Sequence, residues 1–425
     1  VVGSHRHFAL ALLFLVGLLN YLDRFLIAIL LPDIKADLEL SDTQIGFITG
    51  LAFSVFYAAM GIPLARLADR TSRRAIVSVT LAAWSVMTAV CGLAQNFVQL
   101  LVARILVGVG EAGATPASHS LISDYYARGE RAAALGIFTM TTPAGIMVGF
   151  LIGGLITENF GWRAALFSFG LPGVLVALLV YGLLKEPRRG AADGLAGVPR
   201  AVPPFWSAWR ELLARRAFFH LCMAGGSFSF MFLAVIQWLP SFFSRSHGLS
   251  TAEIGAWLTF VVGIPQALGL LTGGLLADRL SRTDLRWPLW MSAAVVLSSA
   301  PFYWVVFLVD NPTWAFLALC PPFFLGLMQG GAQFSGIQNV AGLRMRAVAA
   351  GTILLALNLI GGWGPQVVGI VSDLLAPRLG HDGLRYALLT ISFGGALWTA
   401  THFFLAARTV REDMAEALAS DQASA

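Results

Sequence analysis

Long apolar stretches separated by short polar ones run from residue 8 to residue 407. A helix needs about 20 apolar residues to cross the hydrocarbon of a bilayer. Twelve runs meet that length: 8–31, 45–65, 75–94, 98–122, 133–157, 164–184, 218–243, 254–276, 287–309, 313–339, 348–371 and 384–407. Isolated spans of this length close their backbone hydrogen bonds as helices, so the pattern predicts an all-α membrane protein. Most connections are short and hold turn formers or charges. The exception, 185–217, reads Lys185-Glu186-Pro187-Arg188-Arg189 and then a Gly/Ala/Pro-rich stretch. It predicts a six-helix bundle over 1–187, a linker over 188–216 and a second six-helix bundle over 217–425. The first run is too long for a signal-peptide core and no small-residue cleavage site follows it, so it is expected to remain as a span.

Within the linker, apolar residues 205, 206, 209, 212 and 213 recur at helical spacing, with Arg210, Arg215 and Arg216 largely elsewhere on the wheel. Two arrangements fit this segment: an amphipathic helix lying on the membrane face, or a linker helix packed on the bundle. With the N-terminus placed in the cytoplasm, inside loops and termini hold 21 of the 28 Lys and Arg and outside loops hold five. That bias predicts a multi-pass protein of the cell (inner) membrane with both termini cytoplasmic. The composition agrees: 57% hydrophobic, 12% charged and 44 glycines, against a charged share of about 25% in soluble domains. The three cysteines lie in apolar runs, and the chain has no GxxxxGK or HExxH word. No metal, cofactor, nucleic-acid partner or enzymatic chemistry is expected.

The halves repeat. Leu40-Ser41 and Ile45-Gly46 recur 209 residues later as Leu249-Ser250 and Ile254-Gly255. At the same spacing Leu67-Ala68-Asp69-Arg70 matches Leu276-Ala277-Asp278-Arg279. Arg131-Ala132 and Gly136 then match Arg346-Ala347 and Gly351, and Gly161 and Arg163 match Gly383 and Arg385. Parallel repeats of six helices place a substrate near the membrane midplane.

The stretch Ala65-Arg66-Leu67-Ala68-Asp69-Arg70-Thr71-Ser72-Arg73-Arg74 resembles the loop 2–3 signature of the major facilitator superfamily, with Ala65 and Ser72 where that family prefers glycine. The resemblance implies twelve helices in two pseudo-symmetric bundles. It also implies a cytoplasmic gate of Asp69, Arg70 and Arg131, repeated as Asp278, Arg279 and Arg346, with Arg131 facing Asp69 and Arg346 facing Asp278. Arg73 and Arg74 read as topology determinants alone. In the fifth run, Pro143 is expected to bend the helix, and Gly145, Gly149 and Gly153 to pack closely against a neighbour. Asn20-Tyr21-Leu22-Asp23-Arg24, Leu31-Pro32-Asp33-Ile34, Arg104 through Gly113, and Ser120 through Tyr125 together resemble the Spinster-like branch, whose eukaryotic members export lysolipids such as sphingosine-1-phosphate.

Four ionisable residues sit deep in runs 1 and 4: Asp23, Arg24, Arg104 and Glu111. Each costs about 3 kcal/mol on insertion scales and marks function by default. Arg104 and Glu111 are two turns, roughly 10 Å, apart on one face. Asp23 and Arg24 diverge by about 100°, so one is expected to face the central cavity and the other to reach helix 4. Asp23 and Glu111 are expected to exchange protons, with the guanidiniums as counter-ions. Tyr57, His119, Gln237, Gln329, Gln333 and Asn358 are candidate cavity residues. Aromatics including Phe228, Phe232, Trp238 and Phe323 give that wall an apolar character suited to an amphipath. The leading expectation is a monomeric secondary active transporter for an amphipathic lipid, coupled to protons and embedded among membrane lipids. A transporter of small polar solutes such as sugar acids or drugs, and a non-transporting lipid receptor or scramblase, are the rivals.

Overall fold

The computed structural model describes residues 2–189 and 205–422, and among them every regular element is helical. In chain order they are α1 (Val2–Leu38), α2 (Asp42–Gly46), α3 (Phe53–Arg70), α4 (Arg73–Cys91), α5 (Phe97–Glu111), α6 (Ala114–Tyr125), α7 (Arg128–Thr139) and α8 (Thr141–Leu183). There follow α9 (Phe205–Ala214), α10 (Arg216–His247), α11 (Thr251–Leu258), α12 (Ile264–Ser281), α13 (Trp287–Leu308), α14 (Pro312–Leu317), α15 (Cys320–Gly361), α16 (Trp363–Leu379) and α17 (Asp382–Gln422). Two compact units result, Val1–Arg200 with Gly248–Thr259, and Ala201–His247 with Phe260–Ala425. Part of the expected linker lies outside the described residues.

Eleven helical stretches among the described residues are long and apolar enough to cross a membrane. One of them, Gly129–Leu183, has 55 residues. At 1.5 Å per residue that is about 80 Å, far more than one crossing needs. Gly161, at φ 83°, turns the chain inside it, a conformation that costs a residue with a Cβ dearly. The stretch is therefore two spans, and the total among the described residues is twelve. Gly342, at φ 71°, makes a break of the same kind inside α15, between the tenth and eleventh runs.

The repeat is visible in detail. Ser41 caps α2 in a reciprocal box with Gln44, and Ser250 caps α11 in the same box with Glu253. Ahead of each cap one residue is left-handed: Gly248 at φ 65° in the second copy, Glu39 at φ 52° in the first. A side chain there costs about 1 kcal/mol relative to glycine. Glu39→Gly is accordingly expected to stabilise the protein by about 1 kcal/mol, read as a higher melting temperature in detergent. An unchanged or lower value would contradict the assigned strain.

The linker helix α9 packs on the second unit. Ala208 and Leu212 are fully buried among Phe218, Leu221, Val340 and Met345. Arg215, at its end, is buried and donates to the Val340 carbonyl. The Ala208–Leu212 face of the segment is packed on its own unit, while Trp206 stays exposed.

Close helix packing positions the buried charges of the first unit. Gly145, Gly149 and Gly153 of α8 face α1. A Cβ on Gly145 would stand 2.8 Å from the Leu22 nitrogen, one on Gly149 3.3 Å from the Leu22 carbonyl, and one on Gly153 2.6 Å from the Leu26 side chain. The backbone of α1 is thus held tight beside Asp23 and Arg24. Pro143 does more than bend its helix: α7 ends at Thr139 and α8 begins at Thr141. Proline lacks the N–H that would bond residue 139, so the ladder stops there.

Candidate functional site

Helix α5 stops at Glu111 and α6 starts at Ala114. Pro116 explains the break, since it has no N–H to offer the Ala112 carbonyl four residues back. Glu111 thus lies at the inner end of a discontinuous span, fully buried, with Arg104 two turns earlier and 1% exposed.

Both charges of α1 reach α5, which corrects the expectation that only one would. Arg24 Nη2 lies 3.1 Å from Glu111 Oε2, and Arg104 Nη1 lies 3.5 Å from Asp23 Oδ2. Their roughly 100° divergence is what makes this possible: the two partner positions on α5, a donor at Arg104 and an acceptor at Glu111, are two turns apart, so adjacent side chains of α1 each find one. The short Asp23 meets the long Arg104, and the long Arg24 meets Glu111. Thr88 Oγ1 of α4 donates to Asp23 Oδ1 at 2.6 Å. Asp23 Oδ2, Glu111 Oε1 and Arg104 Nε are buried and make no hydrogen bond among the described residues. A cavity of about 10 Å³ on the α4 side, lined by Asp23, Ser85 and Thr88 among others, has room for about one water.

Aromatic rings enclose the cations. The Arg24 guanidinium lies 4.7 Å from the Tyr57 ring centre and 4.9 Å from that of Phe53, and Arg104 lies 5.3 Å from the same Phe53 ring. The Phe53 ring thus lies within reach of both guanidiniums and attracts each through its π system. It follows directly on a π-helical segment, Phe47–Ala52. Gly108 lets α5 approach closely, since a Cβ there would stand 3.0 Å from the Phe53 carbonyl. Phe53 was not among the expected site residues; an aromatic in an apolar run carries no signal of its own.

The other candidates divide. His119 is exposed on α6 and packs edge-on against Phe138. Gln333 donates to the Leu221 carbonyl at 3.3 Å, in space opened by Gly225; it bolts α15 to α10. Asn358 donates to the Leu354 carbonyl of its own helix. Gln237 and Gln329 are buried in the second unit. Trp238 is fully buried and donates to the Pro365 carbonyl, while Phe228, Phe232 and Phe323 form a contiguous ring cluster. No group of three or more His, Cys, Asp or Glu among the described residues is placed to hold a metal.

At the basic end of the helices, the Asp69 side chain lies outside the described residues, and Arg70 is exposed. Arg131 donates to the Ser123 and Tyr126 carbonyls, satisfying the end of α6. Asp278, Arg279 and Arg346 are all exposed, and among the described residues no ion pair joins Asp278 to Arg346.

Arg73 does more than set topology. It is 1% exposed and donates to Asp124, to Ser120 Oγ at 2.9 Å, to the Pro187 carbonyl at 2.9 Å and to Glu186 Oε1 at 2.9 Å. Glu186 also accepts from Ser72 Oγ and the Arg74 N–H. Burial pulls the Glu186 pKa up, but these donors outweigh it and hold the carboxyl below its ordinary value. The second unit inverts the polarity of this clamp. There the acid, Asp284, is on the loop, and the base, Arg411 at 2.7 Å, follows the last span. Hydrogen bonds from Arg286, with Arg411 adding its charge, hold Asp284 at about 2.

The family model described as Major Facilitator Superfamily matches residues 13–369. An "MFS-type efflux pump" of Mycolicibacterium smegmatis is 36% identical over 409 residues, covering 96% of this chain and 94% of that protein. "Protein spinster homolog 1" of Xenopus tropicalis is 28% identical over 440 residues, covering 95% and 82%. A crystal structure of a bacterial homologue of the human lysosomal transporter Spinster, in an inward-facing and occupied conformation, has a TM-score of 0.84 at 30% identity, covering 96% of this chain and 98% of that one. The family match over most of the length and the likeness to a solved Spinster homologue at 30% identity decide the family: the chain belongs to the major facilitator superfamily of membrane transporters, on its Spinster-like branch.

Proposed function

We propose that this transporter moves an amphipathic lipid, such as a lysophospholipid or a sphingosine-phosphate-like molecule, by alternating access coupled to protons. The observation that carries the reading is the crossed pairing of Asp23 with Arg104 and of Glu111 with Arg24 in the membrane interior. Two carboxylates and two guanidiniums sum to zero, and removing one charge unbalances the rest. A proton arriving on Glu111 weakens its hold on Arg24, whose guanidinium stays enclosed by Phe53 and Tyr57 and becomes available to an anionic headgroup. A proton on Asp23 does the same to Arg104. Either event changes the contact of α1 with α5 and biases a two-state equilibrium. The basic loops and both termini face the cytoplasm in this reading, in the inner membrane, with the chain acting as a monomer. Domain boundaries follow the same scheme, the linker beginning after Pro187.

The test is reconstitution into liposomes with a lysophospholipid panel, with and without an imposed pH difference. The wild type is expected to accumulate a lysolipid only under the gradient. Asp23→Asn and Glu111→Gln are each expected to lose gradient-driven accumulation by about tenfold or more, the equivalent of about 1.4 kcal/mol of coupling. Unchanged pH dependence in both variants would end the proton role. Accumulation of glucuronate or ethidium in place of lysolipid would transfer the function to small polar solutes or drugs, which the similarity to an efflux pump keeps in view.

A further inference from the structure

We propose that Gln266 is a substrate-binding residue, presenting its side-chain amide to an uncharged hydrogen-bonding group of the transported molecule. The inference rests on the transport function and extends the substrate reading to the second unit. Gln266 follows Tyr57 by 209 residues, the spacing of the repeat. In the first copy that position lies over the Arg24 guanidinium of the charge cluster. Both positions follow a π-helical segment, Phe47–Ala52 in one copy and Thr259–Gly263 in the other, and the two segments overlap under the repeat. π segments in helices are frequent at functional sites.

The side chain itself points to a ligand. Gln266 is 2% exposed, yet neither its Nε2 nor its Oε1 has a hydrogen-bond partner among the described residues. An amide in that state is costly to bury, and an apolar side chain of like volume would avoid the cost. It begins the stripe Gln266, Gly269, Gly273 along α12. The two glycines lie directly against α15, where a Cβ would stand 2.1 Å from the Phe324 carbonyl and 2.2 Å from that of Met328. On α15, Gln329 is also buried, with its Oε1 unbonded. No Asp, Glu, Lys or Arg occurs over 254–277 or 311–343. A neutral wall that both donates and accepts recognises hydroxyl, ester or glycerol groups and not a net charge. In a lysophospholipid these are the hydroxyl and ester groups next to the headgroup.

The experiment compares the full-length wild type with Gln266→Met, similar in length and volume, and Gln266→Asn. Melting in detergent is measured without ligand, and flux of lysophosphatidylglycerol is measured in liposomes. A binding amide predicts that Gln266→Met melts higher than the wild type and carries the lipid about tenfold more slowly, the loss equivalent to one hydrogen bond of about 1.4 kcal/mol, with Gln266→Asn between them in flux. A lower melting temperature for Gln266→Met would assign the amide to holding the fold and overturn the proposal, as would wild-type flux in that variant. Failure of the wild type to carry lysolipid sinks the lipid assignment alone. Glucuronate and ethidium then serve as probes in the same comparison, and any of them bound equally by wild type and Gln266→Met overturns the binding role.

Discussion

Replacing Arg104 by methionine is expected to lower the melting temperature more than any other single change in the charge cluster. Arg104 is 1% exposed and Asp23 5%. Truncating one partner of such a pair leaves a buried charge without its counter-ion, a loss of about 3–5 kcal/mol. The aromatic contact with Phe53 disappears at the same time. Adding Asp23→Asn in the same chain removes the stranded charge, so the double variant is expected to recover most of the melting temperature. Its gradient-driven flux is not expected to return, because the titrating group is gone. The Arg24–Glu111 pair serves as the control: the Arg24 side chain is 18% exposed, and water solvates part of what is lost there, so Arg24→Met is expected to cost less. A four-variant thermal cycle in detergent measures all of this. If Arg104→Met melts like the wild type, Asp23 carries no charge that needs balancing, and the crossed pairing has no energetic content.

The spans were legible because burial in lipid imposes a length and a composition that need no tertiary information. The repeat was legible because its landmarks are polar words, Leu-Ser before a helix and Leu-Ala-Asp-Arg after one, standing out of an apolar background. Less visible were features that depend on backbone detail. The turn in the 55-residue stretch rests on one torsion at Gly161. The first copy's use of Glu39 where the second has Gly248 shows only once φ is known. The π segments leave no mark on composition at all.

The four membrane charges announced themselves by their cost, but their pairing did not. Helical spacing puts Arg104 and Glu111 on one face and separates Asp23 from Arg24. It does not say that α1 comes close enough to α5 for both to be used; the Gly145, Gly149 and Gly153 stripe that seats α1 on α8, and Gly108 under Phe53, do that. The amides show the opposite case. Gln333 looked like a cavity residue because it is polar in an apolar helix, yet the space beside Gly225 turns it toward a backbone carbonyl. A polar residue in a span is evidence that something satisfies it, and only the neighbouring helix tells whether that partner is protein.

Arg73 looked like one more base in a basic loop, and its replacement by alanine is expected to be the most damaging change outside the charge cluster. It joins the start of α4, the end of α6 through Asp124 and Ser120, and the segment after α8 through Glu186 and Pro187. Alanine leaves Asp124 and Glu186 facing each other's neighbourhood without the cation between them and orphans the Pro187 carbonyl. A loss of about 3–5 kcal/mol follows from the burial of the guanidinium, seen as low folded yield and a melting temperature many degrees lower. Lysine keeps the charge but cannot supply the forked donors, so Arg73→Lys is expected to recover only part. The pH dependence separates this network from a packing effect. The Glu186 carboxyl is held below its ordinary value of 4.5, so its contribution is present above that value and is lost as pH falls through the lower folded one. The melting gap between wild type and Glu186→Gln should therefore be full at neutral pH and close progressively below about 4.5. A gap that stays constant through that range would mean that Glu186 acts by shape alone and that Arg73 has no charge to hold there.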